Sequence, residues 1–413
     1  MWLFCADDVY LKFLYTKTEA FVSIFKLVIL TFLGLVTVTP NPSCITDRNA
    51  GGHEGGQAGY TEADVLQAYE AFNKHLLHPR RKLYMRDTEA DTDVGAIWTQ
   101  AIYWDMAMNA YKRTGSAQHK QLITDIFEGN YAHYDRFNWD NGKVWFIYDD
   151  IMWWVISLAR GYELTGNADY LKLSETGFER VWSGSPVVKD GGSYDPVEGG
   201  MYWQWNQKNP PASKKGDGKM ACINYPTVIA AMTLYNNTQN TQYLDRAKEI
   251  YDWASSNLFN KQTGAVADSK HGSGEPHWKM HVYNQGTCIG AAVLLYKETG
   301  EERYLRDAVR AADYVKDQMC DQEGILPFRP GEEQGVYTAI FAQYIIRLIE
   351  DGNKPEYLPW LQKNINRGWQ NRDRDRGLTS KNYNRKVSAS EAVSCYDASG
   401  IPALMLVCPA DAN

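Results

Sequence analysis

The sequence predicts an all-α fold made of six helical hairpins. Apolar residues recur at helical spacing in about twelve segments, Gly and Pro residues separate those segments, and a short pattern repeats at their ends. Six hairpins can close into an (α/α)6 barrel, which leaves no exposed end; an open helical solenoid is the alternative. Strand patterns are weak, and short β-hairpins are expected only at 138–144 and 191–205.

Helix ends are predicted from Gly, Pro and small polar residues that flank each apolar segment. The predicted helices lie at 61–75, 94–114, 117–134, 149–165, 168–182, 219–236, 241–259, 282–299, 302–319, 335–350, 356–369 and 390–407.

An internal repeat supports this arrangement. The sequence AYKRTG ends one predicted helix, and GYELTGNADYL, LYNNTQNTQYL and LYKETGEERYL follow downstream, with Tyr162, Tyr235 and Tyr296 in equivalent places. Each copy has an aromatic residue, a Thr-Gly or Thr-Gln turn, and a Tyr-Leu pair that opens the next helix. A glycine stops a helix, and the Tyr-Leu pair can pack back onto the helix just completed. Such self-similarity is typical of stacked helix pairs.

Residues 1–59 are predicted to be a leader followed by a flexible tether, and residues 60–413 a single barrel domain. The apolar run at 27–38 has the length of a signal-peptide core. A bacterial lipoprotein would carry its lipid near Cys44, which makes a lipid tether to the membrane one expectation. The Gly-rich stretch at 51–59 favours flexibility. The protein is therefore expected to be exported, to the periplasm, the cell surface or the medium.

Composition narrows the class of function. The chain of 413 residues carries a net charge of −7 and has no basic stripe, so nucleic acid is not an expected partner. Its 14 Trp and 27 Tyr residues suit both a packed core and a cleft whose flat rings stack on sugars. The seven cysteines show no CxxC pair or metal-binding spacing, which favours buried free thiols, although one disulfide is possible in an exported protein.

Two adjacent carboxylates, Asp149 and Asp150, precede the strongly apolar run IMWWVI. One Asp can cap a helix by accepting backbone N–H groups at its start, and one would be enough for that purpose. The second Asp, beside several aromatic residues, favours a pair of carboxylates that performs acid–base or nucleophilic chemistry on a sugar. Both interpretations remain open from the pair alone.

Three long loops, at 183–218, 260–280 and 372–386, separate the predicted helices and are candidates for function. The first carries Trp203 and Trp205, for which substrate contact is favoured over packing. The second leads to His277 and His281, whose spacing of four suits a helical metal pair. Because no acidic partner stands at motif spacing, both are interpreted as polar loop histidines. The run RDRDR at 372–376 is interpreted as solvated.

Several segments resemble one family of enzymes. YDDIMWW, followed by ARGYELTGNADYL, resembles the signature of glycoside hydrolase family 76, the endo-acting α-1,6-mannanases. GGMYWQW, KMACINYPTVIAAMTLY, VYNQGTCIGAAVLLYKETG and YTAIFAQYI resemble further segments in the family's order. The chain departs from the family pattern at Pro226 and at Thr338-Ala339, which concerns the details of substrate subsites.

The resemblance implies an (α/α)6 barrel with an active-site cleft at one end. It also implies hydrolysis of α-1,6-mannosidic bonds in α-mannan with retention of configuration, without a metal or a cofactor. Asp149 is implied to be the nucleophile and Asp150 the acid/base. The protein is expected to act as a monomer on a polysaccharide.

Sugar hydroxyls need fixed hydrogen-bonding groups, and sugar ring faces need aromatic platforms. On this basis further residues are predicted to line the cleft. They are Trp203, Trp205, Asn224, Tyr283, Asn284 and Gln285, with Trp104 and Asp105 as additional candidates.

Two other classes of function compete. The same barrel could carry an unsaturated-uronyl hydrolase, a lyase or a sugar epimerase, since a fold does not determine a function. Cationic residues, which an acidic sugar would require, are sparse around the Asp pair. A non-catalytic glycan-binding protein is the other alternative, and the intact Asp pair argues against it.

Overall fold

The computed structural model describes residues 59–205 and 218–410. The predictions for the signal run and Cys44 lie outside the described residues. Helices of eight residues or more are labelled here in chain order. They are α1 (Glu62–Leu76), α2 (Ile97–Thr114), α3 (Ala117–His133), α4 (Tyr148–Thr165), α5 (Ala168–Ser183), α6 (Ala221–Thr238), α7 (Thr241–Asn257), α8 (Val282–Thr299), α9 (Glu302–Tyr314), α10 (Gln334–Glu350), α11 (Leu358–Gln370) and α12 (Gly400–Val407).

The helices form two concentric rings. The even-numbered helices make the inner ring, in which each helix contacts the next and α12 contacts α2. The odd-numbered helices pack around them. The contact between the last and the first inner helix closes the ring, so the predicted (α/α)6 barrel is confirmed and the open solenoid is excluded.

Burial distinguishes the two rings. In the inner helix α6, every residue from Ala221 to Leu234 is buried, as expected for a helix surrounded by others. In the outer helix α9, burial is confined mainly to one face that includes Tyr304, Ala308 and Ala311. A one-sided apolar pattern on the outer helices and a nearly continuous one on the inner helices therefore place each helix in its layer.

Short turns join the helices at one end of the barrel. The turns after Thr114, Thr165, Thr238 and Thr299 contain two residues each, and all four belong to the sequence repeat. Because inner and outer helices alternate along the chain, every inner helix begins at the opposite end. The segments entering the inner helices at that end are much longer, at 77–96, 134–147, 184–220, 258–281, 315–333 and 371–399. This end is called the loop end below.

Three copies of the repeat stop their inner helix with a glycine in the left-handed region. Gly115, Gly166 and Gly300 have φ values of 62°, 71° and 70°. Gln239 occupies the fourth position with a φ of 58°. Only glycine adopts this conformation without a steric penalty from its Cβ, so Gln239 carries backbone strain that the other copies avoid.

Replacing Gln239 with Gly is expected to raise the free energy of unfolding by about 0.5–1 kcal/mol, because it removes that strain. Urea or thermal unfolding measures the change. Gly166→Ala is the matched control at the equivalent turn and is expected to lower stability by a similar amount. A Gln239→Gly variant less stable than the wild type would contradict the assignment of strain.

Two local predictions differ from the structure. The segment at 138–144 forms turns, and the predicted hairpin at 191–205 contributes isolated bridges; the described strands β1 (Gly218–Met220) and β2 (Ser269–His271) pair antiparallel instead. The predicted helix at 390–407 is divided into one turn, Cys395–Ala398, and α12. Gly400 lies against Gly335 at this break. A Cβ added at Gly400 would lie 2.9 Å from the Gly335 carbonyl oxygen, so the two segments approach too closely for a side chain at this position. No helix in the described ranges is long and apolar enough to cross a membrane.

Candidate active site

The two adjacent carboxylates lie in the first turn of α4, at the loop end of the inner ring. Asp149 is 9 % exposed, and Asp150 is partly buried. The N-cap residue, Ile147, makes no side-chain hydrogen bond to the helix. Backbone N–H groups of Asp149 and Asp150 hydrogen-bond with the Asp149 carboxyl. Both interpretations of the pair therefore apply in part: Asp149 uses the helix start, and a second carboxylate stands beside it.

The surroundings shift the pKa values of the two carboxyl groups to different extents. Burial raises the pKa of Asp149, while hydrogen bonds from Cys222, Trp203 and the backbone oppose that rise. Burial raises the pKa of Asp150 well above its ordinary value, and repulsion from the Asp149 charge raises it further. Asp149 is stabilised as an anion where Asp150 is not, so Asp150 keeps its proton when Asp149 has lost its own.

The loop that carries Trp203 is joined to the start of α4. The Tyr148 N–H donates to the Trp203 carbonyl at 3.0 Å, and the Trp205 N–H donates to the Phe146 carbonyl at 2.8 Å. This ladder holds the Trp203 side chain where it can hydrogen-bond with Asp149. Trp203 therefore lies beside Asp149, and its predicted contact with substrate stays a prediction.

A buried ion pair fixes α4 from the opposite side. The Tyr148 hydroxyl donates to Asp190 Oδ1 at 2.5 Å, and the Arg180 guanidinium pairs with the other oxygen of Asp190. Arg180 also pairs with Asp140, with 3.2 Å between Nε and Oδ1. Sequence reasoning missed these residues because the partners stand 10 to 42 positions apart. A buried carboxylate at Asp190 is a signal that only the fold makes visible.

The start of α8 forms another part of the site. The Tyr283 ring packs against Tyr337, with centroids 4.5 Å apart, and the Asp149 charge contributes to the raised pKa of Tyr283, which burial dominates. His281 is buried between two carboxylates, with Nε2 3.9 Å from Asp268 Oδ1 and Nδ1 3.7 Å from Glu332 Oε2. His281 ends the loop at 258–281, as interpreted from the sequence, but it is 4 % exposed rather than solvated.

Three predicted cleft residues are buried amides that hold loops. The Asn224 side chain accepts from the Met201 N–H at 2.8 Å and donates to the Met201 carbonyl at 3.1 Å. In the amide orientation that satisfies both groups, Gln285 bonds to Gly264 and Val266. Asn284 donates to Asp268 at 3.4 Å. None of the three is exposed to a cleft, so their role in the structure is to position loops.

The remaining candidates pack inside the barrel wall. Trp104 is completely buried and donates from Nε1 to the Ile123 carbonyl at 2.8 Å. Asp105 pairs with Arg160 at 2.7 Å between inner helices. Trp205 is 9 % exposed, with the Arg180 guanidinium 5.4 Å from its ring centre. The inner helix α2 directs Trp104 and Asp105 into packed interfaces, which corrects their predicted place in the cleft. Trp205 lies on the loop before α6, and its predicted contact with substrate stays a prediction.

The histidine pair does not have helical geometry. His281 is the N-cap of α8, and His277 precedes it in an extended segment that bridges to Ser269. Within 59–205 and 218–410, no group of three or more His, Cys, Asp or Glu side chains is arranged to hold a metal ion.

Known proteins share the sequence pattern and the fold of this chain. The chain matches Glycosyl hydrolase family 76 over residues 62–399. It belongs to this family. The match covers the whole described barrel except its first residues and the last inner helix, and it confirms the resemblance seen in the sequence.

Solved structures share the barrel of this family 76 chain. The α-1,6-mannanase GH76A from Salegentibacter sp. HEL1_6 superimposes with a TM-score of 0.72 at 24 % identity, over 84 % of this chain and 98 % of that one. Dfg5 from Chaetomium thermophilum, solved in complex with glucosamine, has a TM-score of 0.65 at 14 % identity, over 85 % and 90 % of the two chains. At these identities the likeness establishes the fold.

A curated sequence relative also matches in part. Cellobiose 2-epimerase from Eubacterium cellulosolvens is 27 % identical over 129 residues, which are 29 % of this chain. The match spans 32 % of the epimerase's own length.

Proposed function

We propose that this protein hydrolyses α-1,6-mannosidic bonds in α-mannan with retention of configuration. The observation that carries the proposal is the adjacent pair Asp149 and Asp150, in which hydrogen bonds favour the anion of Asp149 while burial and the neighbouring charge favour the protonated form of Asp150. Among the structural relatives, an inactive variant of the Salegentibacter α-1,6-mannanase has two consecutive aspartates replaced by asparagine. That variant is seen in complex with α-1,6-mannotriose, which supports the same substrate class here.

In the proposed mechanism, the ionised Asp149 attacks the anomeric carbon while Asp150 donates its proton to the leaving glycosidic oxygen. The C–O bond breaks, and a covalent mannosyl ester forms on Asp149. Asp150, now an anion, takes a proton from water, whose oxygen attacks the anomeric carbon and releases Asp149. Two inversions restore the original configuration, and both carboxyl groups return to their starting states.

The test is an assay for reducing ends on linear α-1,6-mannan, with α-1,2-linked, α-1,3-linked and β-linked mannans as comparison substrates. We expect release from the α-1,6-linked polymer alone. Proton NMR of the first product formed should show the α-anomer before mutarotation. A β-anomer would exclude the double displacement, and no release from α-1,6-mannan would remove the proposed function.

The partial match to cellobiose 2-epimerase favours a second candidate, a sugar epimerase on the same barrel. Such a reaction would require a base beside a substrate carbon, and the buried His281 between Asp268 and Glu332 is the group that could serve. Incubation with cellobiose separates the two proposals. An epimerase would yield a glucosyl-mannose isomer without a change in the number of reducing ends, whereas the hydrolase is expected to leave cellobiose unchanged.

The unequal rise of the two pKa values predicts the pH dependence of kcat/KM. Activity requires Asp149 as an anion and Asp150 as an acid. The rate should fall at low pH as Asp149 is protonated and fall at high pH as Asp150 ionises, with both limbs above the ordinary range of an aspartate because burial raises both pKa values. A profile that stays flat from pH 4 to pH 9 would contradict this assignment.

Exposed aromatic residues at the loop end suggest platforms for sugars beyond the bond that is cut. Trp278 is 43 % exposed and Phe328 is 41 % exposed, on the segments that enter α8 and α10. Arg329 joins those segments by donating from Nη1 to the Met280 carbonyl at 3.1 Å. Exposed rings supported in this way can stack on sugar faces.

Trp278→Ala and Phe328→Ala are each expected to lower kcat/KM on long α-1,6-mannan by about five- to tenfold, the effect of losing one stacking contact of about 1 kcal/mol. On an aryl mannobioside, which fills only the positions near the Asp pair, both variants should act like the wild type. Val187→Ala is the control, since it removes an exposed apolar side chain without a ring face at the loop end. Equal losses on short and long substrates would exclude remote platforms.

We also propose export, on the basis of the apolar run at 27–38, with Cys44 as a lipid attachment site in a bacterial host. Mass spectrometry of the protein from its native host should find an N-terminus at or before Cys44. Light scattering tests the expected monomer. A full-length product in the cytoplasm would contradict export.

A further inference from the structure

We propose that Lys219 is a positioning residue for the catalytic pair. It holds the 195–205 loop against α4, and thereby keeps the Trp203 side chain in its contact with Asp149. The inference rests on the proposed function in that it treats Asp149 as the reacting carboxylate. Lys219 itself does not touch the reacting atoms.

Lys219 is a buried cation with fixed partners. It is 6 % exposed, and its Nζ donates to Asp195 Oδ2 at 2.8 Å and to the Gly199 carbonyl at 2.6 Å. The rings of Tyr202 and Trp253 lie 5.0 and 5.3 Å from the ammonium group, within range of a cation–π contact. A buried ammonium group is costly unless it is paired, so these contacts define one position for the loop.

The loop contains two adjacent glycines in the left-handed region, which disfavours other residues. Gly199 and Gly200 have φ values of 73° and 77°. A Cβ added at Gly200 would lie 2.5 Å from the Trp253 ring, so the chain passes this ring too closely for a side chain. Lys219 bonds directly to the carbonyl of the first of these glycines. It therefore holds the loop at the turn where the chain passes closest to the Trp253 ring.

A short path connects Lys219 to Asp149. The carbonyl of Gly218, next to Lys219 in the chain, accepts from the Trp203 N–H at 3.0 Å. The Trp203 carbonyl accepts from the Tyr148 N–H at 3.0 Å, and Tyr148 immediately precedes Asp149. The Trp203 backbone is thus held between β1 and α4 while its side chain bonds to Asp149. Movement of the loop would break that contact.

Loss of the Trp203 bond has a predictable electrostatic effect. The bond favours the anion, so without it the pKa of Asp149 should rise and the acid limb of kcat/KM should move to higher pH. The other titratable groups that interact with Asp149 are unchanged by a substitution at Lys219; they are Asp150 on α4, Cys222 on α6 and Tyr283 on α8, which itself faces Asp268 on the preceding loop. A purely structural role would lower the yield or the melting temperature without moving this limb.

The experiment compares Lys219→Met with the double variant Lys219→Met/Asp195→Asn, which avoids an unpaired buried carboxylate. We expect both to lower kcat about tenfold with little change in KM. The acid limb should rise by about 0.7 pH unit, the contribution of one net hydrogen bond. Lys219→Arg, which keeps the cation, should recover part of the activity and the original acid limb.

Lys270 supplies the matched control. It lies opposite Lys219 in the β1–β2 pair, and its Nζ donates to Asn257 Oδ1 at 2.7 Å, away from the 195–205 loop. Lys270→Met therefore removes a lysine from the same sheet without releasing that loop. It should leave kcat and the acid limb unchanged.

Carbon-13 NMR of the Asp carboxyl groups measures the titration of Asp149 independently of catalysis. The signal that is missing from the Asp149→Asn spectrum is assigned to Asp149. If the wild type fails to cleave mannan but the Asp149 signal still titrates at higher pH in the double variant, the proposed function fails and the positioning role stands. If the folded double variant shows the wild-type Asp149 titration, the positioning role is overturned. An equal shift in Lys270→Met would overturn it as well.

Discussion

Asp149→Ala is expected to abolish hydrolysis of every α-mannoside, with kcat lowered by about 10⁴-fold or more. Without this carboxylate no covalent intermediate can form, and a better leaving group cannot compensate for a missing nucleophile. Steady-state rates on α-1,6-mannan and on an activated aryl mannobioside measure the effect. Added azide can enter the space that the carboxylate occupied, and its product should have inverted configuration.

Asp169→Ala is the matched control for this loss. Asp169 also lies in the first turn of a helix, α5, where it is exposed to solvent. Its removal tests whether loss of an acid at a helix start is itself harmful, and activity should be close to that of the wild type. Substantial turnover by purified Asp149→Ala would remove Asp149 from the mechanism.

The Asp149→Asn variant separates loss of chemistry from loss of fold. A buried carboxyl with a raised pKa contributes stability at low pH, and this contribution is lost as pH rises through the folded-state pKa. Above that pH an amide of the same shape avoids burying a charge. The variant should therefore be inactive but at least as stable as the wild type, with a melting temperature higher by about 2 °C.

The fold could be predicted because its determinants are local. The helix at 282–299 was predicted with the bounds that the structure has, since its apolar residues have helical spacing and Gly300 stops the helix. The geometry of the Thr-Gly turns, such as the one at Gly166, is likewise determined by a few neighbouring residues. Closure of the ring depends on contact between α12 and α2, about 300 residues apart, and no local pattern reports it.

The Asp pair could be predicted for the same reason, since two adjacent acids before an aromatic helix are visible in the sequence. The amides could not be assigned correctly. Asn224 and Gln285 stand near the starts of inner helices, as cleft residues would, but each side chain turns to a loop 19 to 23 residues away. The sequence shows that an amide side chain stands at a helix start. Whether that amide hydrogen-bonds with a substrate or with backbone groups depends on how the loops pack.

The sequence could not predict which buried charged residues pair with one another. His281 is surrounded by Asp268 and Glu332, which come from two different segments, and Lys219 pairs with Asp195 across a loop of 24 residues. A buried charge near an active site indicates a segment whose position must be fixed. Such residues become visible only when the fold brings their elements together.

Asp150→Ala should behave differently from Asp149→Ala, and this difference tests the division of labour in the pair. Removal of the acid should lower kcat on α-1,6-mannan by about 10²- to 10⁴-fold, because the alkoxide leaving group needs a proton. An aryl mannobioside with an acidic phenol needs little protonation, so its first step should remain fast. Since Asp150 also activates water in the second step, the mannosyl ester on Asp149 should accumulate.

Four measurements detect this pattern. Rapid kinetics should show a burst of phenol followed by a slow steady state, and mass spectrometry should find the sugar attached to the peptide that contains Asp149. The alkaline limb of the pH profile should disappear, because it reports the ionisation of Asp150. Azide should restore turnover and yield a product of retained configuration, opposite to the Asp149→Ala result. If instead Asp150→Ala is inactive on the activated substrate and Asp149→Ala shows the burst, the two roles are exchanged.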